Sequence, residues 1–304
     1  QPQKVDVHLR AAARSTETFY GLLAANRLGL PGSFQKVPDN IAEMENLPNV
    51  RAALALAEIN EIELADEVIR WQARIGDPRK HAALAALAGR MDLPATQLWL
   101  AHNGPAGAQA PASARYPMPR TWVPEGGWRV DKALVYAHAL QESQFRTSVV
   151  SPAGAKGLMQ VMPGTAAMMA RQKGRDSVGS LNDPATNMEY GQSFIERLRD
   201  MPATGGMLPK VIAAYNAGPL PVETWNQRAR DNMDPLLYIE SIPFWETRGY
   251  VTIILRNYWM YQLQSGAQTP SLSALAQGMW PRFPGLPGPT AVRPERAAGV
   301  AGGN

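Results

Sequence analysis

The first hundred residues alternate between stretches of helical apolar spacing and turns rich in Pro and Gly. Ahead of Gly76, apolar side chains recur every three or four positions, at Leu64, Val68, Trp71 and Ile75. This spacing places them on one side of a helix and predicts an amphipathic α-helix that ends at Gly76. Similar stretches run from about residue 15 to 28, after Pro48, and after Asp77-Pro78. Consecutive short helices of this kind predict a short α-solenoid.

A further helical stretch begins at Asp131, a residue type that favours helix N-caps, and ends at Glu142. Helical spacing places Val135, His138 and Glu142 along one flank. If apolar neighbours cover this flank, the neutral form of Glu142 is favoured and its pKa rises toward the pH at which it donates a proton. The alternative is a solvated glutamate at a helix end. His138 is either a neighbour that tunes Glu142 or a hydrogen-bonded histidine of the interior.

Three polar blocks follow this helix. Residues 151–157 contain one Pro and two Gly, which form tight turns and let backbone approach a ligand, and Gly157-Leu158-Met159-Gln160 continues from them. Residues 213–218 place a phenol and an amide just before Gly218, where a capping role is the ordinary interpretation. Residues 238–251 form a polar and aromatic cluster interrupted by Pro243. The ordinary interpretation of this block is a surface loop with an ion pair that contributes little to stability.

Together with Gln141-Glu142-Ser143, these blocks resemble the catalytic domain of the soluble lytic transglycosylases, the Slt type with a goose-lysozyme-like fold (glycoside hydrolase family 23-like). The resemblance covers about residues 116–262. It implies an all-α protein, with a helical solenoid and linker over 1–115, a lysozyme-like catalytic domain over 116–265, and a Pro/Gly-rich tail over 266–304. The chain departs from the family pattern at Leu140, where Arg is common, at His138, where an apolar residue is usual, and at Leu220, where Gly is frequent.

The resemblance implies cleavage of peptidoglycan between N-acetylmuramic acid and N-acetylglucosamine, with Glu142 as the sole acid and base and a 1,6-anhydro product. By position, the substrate-lining residues of the family correspond to Ser151, Gln160, Met162, Tyr215, Asn216 and Glu240. Ser151, Gln160 and Asn216 are expected to hydrogen-bond sugar or N-acetyl groups, Tyr215 to support the reacting ring, and Glu240 to contact the glycan or its peptide.

Two alternatives stay open. The first is a hydrolytic muramidase of related fold, in which Asp183, Glu189 or Glu240 positions a water molecule, because ordinary glycosidases use two carboxyl groups. The second is a non-catalytic peptidoglycan-binding scaffold, although such a protein has no chemical need for Glu142.

Composition narrows the other functions. The 304 residues carry 30 Lys and Arg against 26 Asp and Glu, a mild basic bias that suits anionic envelope polymers as well as nucleic acid. No basic stripe or zinc spacing favours nucleic acid, so the expected partners are peptidoglycan glycan strands. The chain has no cysteine, and its 4 histidines are scattered, so neither a metal nor a cofactor is expected.

The sequence also carries expectations about location and its last residues. It shows no apolar run typical of a signal peptide or a transmembrane helix. We therefore expect no stable membrane insertion. The family resemblance implies a periplasmic or cell-envelope protein, because peptidoglycan lies outside the cytoplasmic membrane, and we expect its signal to have been removed. A stretch rich in Gly, Pro and Ala over residues 104–119 predicts the domain junction. Residues 280–304 have a similar composition and are predicted to be extended or disordered, a solvated tail.

Overall fold

The structure is a computed structural model that describes residues 2–32, 34, 41–228 and 231–293. Over these ranges the regular secondary structure is almost entirely helical, so the all-α prediction is confirmed. The helices of the first part are α1 Pro2–Ala13, α2 Phe19–Arg27, α3 Ile41–Glu45, α4 Pro48–Glu58, α5 Ile62–Ile75, α6 His81–Arg90 and α7 Pro94–His102. Two short 3-10 helices span Pro78–Lys80 and Ala112–Arg115.

The second part of the chain contains the remaining helices. They are α8 Lys132–Ser143, α9 Pro163–Gln172, α10 Pro184–Arg199, α11 Leu208–Ala217, α12 Pro219–Arg228, α13 Pro235–Ser241, α14 Trp245–Gln264 and α15 Pro270–Ala276. A two-residue pair of antiparallel strands, β1 Trp280–Pro281 and β2 Ala291–Val292, follows α15.

The buried side chains form two hydrophobic cores. The smaller core collects α3 to α7, where α4 packs on α5 and α6 packs on α7, as expected for consecutive helical hairpins. The larger core lies around α8 and α14 and includes residues of α2. Phe19 of α2 stacks on Trp259 of α14, with ring centroids 5.2 Å apart. Thus α2 belongs structurally with the second part, on the other side of the predicted boundary at residue 115.

Helix α5 forms where its spacing predicts, but of the four apolar side chains used to predict it only Val68 packs against the smaller core. Trp71 and Ile75 are 54% and 57% exposed, whereas Ala65, Ile69 and Ala73 are buried against the smaller core. The two alanines occupy little volume, so neighbouring helices can approach this face closely, while the bulkier Leu64, Trp71 and Ile75 stay at the surface. Apolar spacing identified the helix here without identifying its buried face.

The prediction of an extended, solvated tail over residues 280–304 is wrong for residues 280–292, which follow α15 and include β1 and β2. Residues of α15 are buried, and Trp280 and Phe283 lie in the larger core at 3% and 2% exposure. Trp280 donates its indole N–H to the carbonyl of Met233 at 2.8 Å. The two aromatic side chains therefore anchor a segment whose Pro and Gly content suggested disorder. The predicted tail beyond residue 293 lies outside the described residues.

Candidate active site

Helix α8 runs through the larger core, and Glu142 lies in its last turn, where the helix reaches the protein surface. The carboxylate of Asp131 accepts a hydrogen bond from the backbone N–H of Ala133 at 2.9 Å, which confirms the predicted N-cap. Buried apolar side chains occupy most of the helix. Beyond its end, Gln144 and Phe145 both adopt left-handed backbone, with φ of 54° and 61°. This sharp reversal stops α8 just after Glu142.

The carboxyl group of Glu142 is half-buried and receives a hydrogen bond from Tyr250 of α14, whose hydroxyl donates to Oε1 at 2.6 Å. Burial raises the pKa of Glu142, the Tyr250 hydrogen bond lowers it, and the charge of Glu246 raises it again; together they bring this pKa to about 7. A glutamate with this pKa can both donate and accept a proton near neutral pH. The solvated helix-end alternative therefore does not describe Glu142.

The rings of His138, Tyr215 and Tyr250 form a cluster next to this carboxyl group. The His138 ring is 4.7 Å from that of Tyr215 and 6.1 Å from that of Tyr250. Burial raises the pKa of Tyr250, and the charge of Glu142 raises it further, so the phenol stays protonated as a donor. His138 donates its Nδ1 proton to the Leu134 carbonyl at 2.8 Å, and burial lowers its pKa to about 4. His138 is thus the neutral, hydrogen-bonded interior histidine, and it carries no charge toward Glu142 near neutral pH.

The loop after α8 is held by two of the predicted site residues. The Ser151 hydroxyl accepts a hydrogen bond from the backbone N–H of Ala155, and the Gln160 amide donates to the carbonyls of Val149 and Gly157. Gly157 has a φ of 73°, and a Cβ there would come within 2.2 Å of the Leu181 carbonyl, so only glycine fits. These polar groups shape the loop through contacts within the protein.

Tyr215 and Asn216 connect α11 to the loop that follows α8 and to α14. Tyr215 donates its hydroxyl proton to the carbonyl of Met159 in the loop at 2.8 Å. The Asn216 side-chain oxygen accepts a hydrogen bond from Thr247 of α14 at 2.6 Å. Thr247 is buried and lies one helical turn before Tyr250. The Asn216 contact therefore fixes the segment of α14 that presents Tyr250 to Glu142.

The remaining two predicted residues have different settings. Met162 is 43% exposed at the start of α9. Glu240 on α13 accepts a hydrogen bond from the Tyr20 hydroxyl of α2, and its backbone carbonyl accepts one from Arg248. The structure thus links Glu142, Tyr215 and Asn216 through α11 and α14, places Ser151 and Gln160 in the adjoining loop, and ties Glu240 to α2.

Sequence reasoning missed three residues of α14 that act on this site. The charge of Glu246 raises the pKa of Glu142. Thr247 donates a hydrogen bond to Asn216, and Tyr250 donates one to Glu142. All three lie in the polar and aromatic block from which only Glu240 was selected. Their signal was helical spacing: Thr247 and Tyr250 are three positions apart, with Glu246 beside them, so one face of a helix can present them together.

The carboxylates considered for a hydrolytic mechanism are engaged in other contacts. Asp183 caps α10 by accepting the backbone N–H of Thr186 at 2.8 Å. Glu189 is buried and accepts hydrogen bonds from Arg129 and Lys173. Burial alone would raise the pKa of Glu189, but these partners outweigh burial and lower it to about 2. Both carboxylates therefore maintain the fold around α10.

Within residues 2–32, 34, 41–228 and 231–293, no group of three or more His, Asp or Glu side chains is arranged to hold a metal ion. Among the helices of these ranges, none combines the length and apolar character needed to cross a bilayer.

These features define an all-α protein in which Glu142, a glutamate with a raised pKa, lies at the end of a buried helix. Residues 124–236 match the family model described as "Transglycosylase SLT domain". This part of the chain is therefore similar to SLT domains, and the predicted resemblance to the soluble lytic transglycosylases is confirmed.

Relatives with curated names support the same family. The chain is 37% identical over 155 residues to the soluble lytic murein transglycosylase of Escherichia coli K12, a match covering 50% of this chain and 24% of that protein. The enzyme of that name from Salmonella typhimurium LT2 is 38% identical over 132 residues, covering 42% of this chain and 20% of the relative. The matched region thus spans about a quarter of the length of these relatives.

Solved structures match a larger share of the chain. The crystal structure of the 70 kDa soluble lytic transglycosylase from E. coli superposes with a TM-score of 0.74 at 27% identity, covering 93% of this chain and 46% of that one. The same protein has been crystallised with bulgecin A. An inactive Glu-to-Gln variant of Slt from Pseudomonas aeruginosa gives a TM-score of 0.62 at 28% identity, over 84% of this chain and 42% of that one.

Proposed function

We propose that this protein is a peptidoglycan lytic transglycosylase that cleaves the β-1,4 bond between N-acetylmuramic acid and N-acetylglucosamine. The observation that carries the proposal is the Glu142 carboxyl group, half-buried, hydrogen-bonded by Tyr250 and with a pKa of about 7. The names of the relatives and the SLT domain support the same reaction. Because peptidoglycan lies outside the cytoplasmic membrane, we place the protein in the periplasm or cell envelope.

The first step uses Glu142 as an acid. Near neutral pH a substantial fraction of the carboxyl is protonated, so it can donate its proton to the glycosidic oxygen as the C1–O bond breaks. The leaving sugar departs as an alcohol. Positive charge develops at C1 of the muramic residue, and the N-acetyl oxygen of the same sugar stabilises it. Tyr250 then donates its hydrogen bond to the carboxylate that remains.

The second step uses Glu142 as a base. Its carboxylate takes the proton of the muramic C6 hydroxyl, whose oxygen attacks C1 and closes the 1,6-anhydro ring. Glu142 returns to its protonated form, and no water is consumed. Because nucleophile and stabilising amide belong to the substrate, proximity replaces a second protein carboxylate.

The other predicted residues have proposed roles that follow their contacts. The Asn216 side-chain nitrogen has no hydrogen-bond partner among the described residues, and together with exposed Met162 it is available to line the bound sugar. Tyr215 supports the reacting ring from below through its fixed position. Ser151 and Gln160 present the loop backbone to the N-acetyl group in addition to any direct contact, and Glu240 contacts the glycan or its peptide.

The two alternatives receive less support. The hydrolytic mechanism needs a second carboxylate to position water. Asp183 instead caps α10, Glu189 forms an ion pair with Lys173, and Glu240 accepts a hydrogen bond from Tyr20. A binding scaffold leaves the raised pKa of Glu142 without a use. Nucleic acid is not proposed as a partner, since the conspicuous chemistry lies in an acid poised for proton transfer.

The test is mass spectrometry of the soluble muropeptides released from purified peptidoglycan. Anhydromuramic products from the parent are expected, with at least a hundredfold loss of release in Glu142→Gln, a typical size for a general acid. The matched control is Glu223→Gln, which removes an exposed carboxylate of α12 and is expected to release products at the parent rate. Reducing-end products, heavier by one water, would identify the muramidase, and no release by the parent would favour the scaffold.

A further inference from the structure

Helix α2, from the first part of the chain, reaches the polar block that contains Glu240. The Tyr20 hydroxyl, in the first turn of α2, donates a hydrogen bond to Oε1 of Glu240 on α13, 220 residues further along the chain. Partial burial raises the pKa of Tyr20, and the hydrogen bond and charge of Glu240 raise it further, so the phenol stays protonated near neutral pH. The contact is therefore a charge-assisted hydrogen bond between elements that are distant in sequence.

The start of α2 is held firmly, so Tyr20 has a fixed position. The Thr18 hydroxyl caps α2 by accepting the backbone N–H of Gly21 at 3.1 Å. A Cβ at Gly21 would lie 1.9 Å from the Ser15 carbonyl oxygen, so this close approach requires glycine. Phe19 is buried in the larger core, and the Tyr20 ring meets the Phe19 ring edge-on at 5.1 Å between centroids. The Tyr20 hydroxyl is thus presented from a packed support.

The backbone of Glu240 is connected to the face of α14 that contacts the acid. Its carbonyl oxygen accepts a hydrogen bond from Arg248 at 3.1 Å. Arg248 lies on α14 between Thr247 and Tyr250, the residue that donates to Glu142. Glu240 is therefore held at two points, through its backbone by α14 and through its carboxylate by α2.

One carboxylate oxygen of Glu240 remains available to a ligand. Among the described residues, Oε2 of Glu240 accepts no hydrogen bond, and no Lys, Arg or His nitrogen lies within 4.0 Å of this carboxylate. The Glu240 side chain is also exposed. An exposed carboxylate oxygen that is held in place can accept a hydrogen bond from an N–H or hydroxyl group of a bound molecule.

Resting on the function proposed above, we propose that Tyr20 is a positioning residue of the substrate site. It holds Glu240 so that Oε2 meets a hydrogen-bond donor of the bound strand, an N–H or hydroxyl group of the glycan or of its stem peptide. A glutamate side chain loses rotamer freedom when a ligand immobilises it, and Tyr20 imposes this loss before the ligand arrives. Helix α2 thereby contributes to substrate binding as well as to packing.

Calorimetry with an uncleaved ligand tests this role without requiring catalysis. All proteins carry Glu142→Gln, and the probe is a synthetic tetrasaccharide of alternating N-acetylglucosamine and N-acetylmuramic acid that bears stem peptides. Tyr20→Phe, Glu240→Ala and both changes together form a double-mutant cycle. Tyr261→Phe is the matched control, because its buried hydroxyl has no hydrogen-bond partner among the described residues. Circular dichroism checks folding, which the exposed positions of Tyr20 and Glu240 should preserve.

We expect about three- to tenfold weaker binding for Tyr20→Phe, the size expected when the ligand itself must order one side chain. Added to Glu240→Ala, the same change should have no further effect, whereas a merely structural role of Tyr20 would weaken binding equally in both backgrounds. Tyr261→Phe is expected to bind like the parent. The same tetrasaccharide without peptides identifies the donor: a Tyr20 effect that persists assigns it to the glycan, and one that disappears assigns it to the peptide.

Cleavage kinetics give a second measurement. With Glu142 intact, Tyr20→Phe should raise KM by a similar factor and leave kcat nearly unchanged, because Glu240 is expected to bind substrate and transition state alike. Equal effects of Tyr20→Phe with and without Glu240, a lower kcat with unchanged KM, or no binding of either tetrasaccharide would overturn the positioning role. Coupling between Tyr20 and Glu240 in a protein that cleaves no peptidoglycan would overturn the proposed function and leave the positioning role standing.

Discussion

The raised pKa of Glu142 makes a prediction about stability that does not depend on any assay of activity. In the unfolded chain a glutamate titrates near its ordinary value of 4.5, whereas Glu142 in the folded protein titrates at about 7. Between these values the folded protein holds a proton that the unfolded chain releases. The stability associated with this proton is fully present below about pH 4.5, and it is lost as the pH rises through 7.

The magnitude follows from the two pKa values. At about 1.36 kcal/mol for each pKa unit, the difference between 4.5 and about 7 corresponds to about 3 kcal/mol of stability lost at alkaline pH. Glu142→Gln removes this loss, because the amide has nearly the same shape, stays neutral and still accepts the Tyr250 hydrogen bond. The variant should therefore match the parent near pH 4.5 and exceed it by about 2 to 3 kcal/mol at pH 9.

Urea unfolding of both proteins at pH 4.5 and pH 9 measures the effect as the change in the free energy of unfolding. Glu223→Gln is the control, since its exposed carboxylate should shift stability by no more than about 0.5 kcal/mol at either pH. A stability difference between parent and Glu142→Gln that is the same at both pH values would refute the reasoning, because the pKa of Glu142 would then be ordinary.

Two further predictions test contacts of this site and of the C-terminal segment. Tyr250→Phe removes the hydrogen bond that lowers the pKa of Glu142, so the alkaline limb of the pH–rate profile should move up by about one pH unit. A downward move in muropeptide release assays would contradict this. Trp280→Ala leaves a cavity in the larger core and an unpaired Met233 carbonyl, and should lower the free energy of unfolding by about 3 to 5 kcal/mol. A loss below about 1 kcal/mol in urea unfolding would mean that residues 270–292 do not anchor there.

Local sequence signals were sufficient for the helix α8. The capping carboxylate of Asp131 and the run of apolar side chains belong to one helix, so spacing predicted it. The choice of Glu142 as the acid rested on the resemblance of the combined motifs. The environment of Glu142 depends instead on Tyr250, which lies 108 residues away on α14. The packing of α14 on α8 brings these groups together, and no local pattern records that distance.

Composition is a poor guide to structure where a few large side chains decide whether a segment is buried. The segment around Trp280 is rich in Pro and Gly, which usually indicates an extended chain. Burial of Trp280 and Phe283 outweighs this tendency, because each aromatic ring removes a large apolar area from water. Ser151 and Gln160 illustrate a related limit: the sequence predicted polar groups for a sugar, but their observed hydrogen bonds are to the loop backbone.

The contacts of Glu142 also explain why one carboxyl group is sufficient for the proposed reaction. A residue that first donates and then accepts a proton works best when its pKa lies near the working pH, since neither form is then scarce. Burial and the charge of Glu246 favour the acid, and the Tyr250 hydroxyl favours the carboxylate. Without the Tyr250 hydrogen bond, the carboxylate form of Glu142 would be too unfavourable to serve as the base. Without burial, the carboxyl group would be ionised near neutral pH and could not serve as the acid. The opposition of these effects, rather than a second carboxylate, makes Glu142 suitable for both steps.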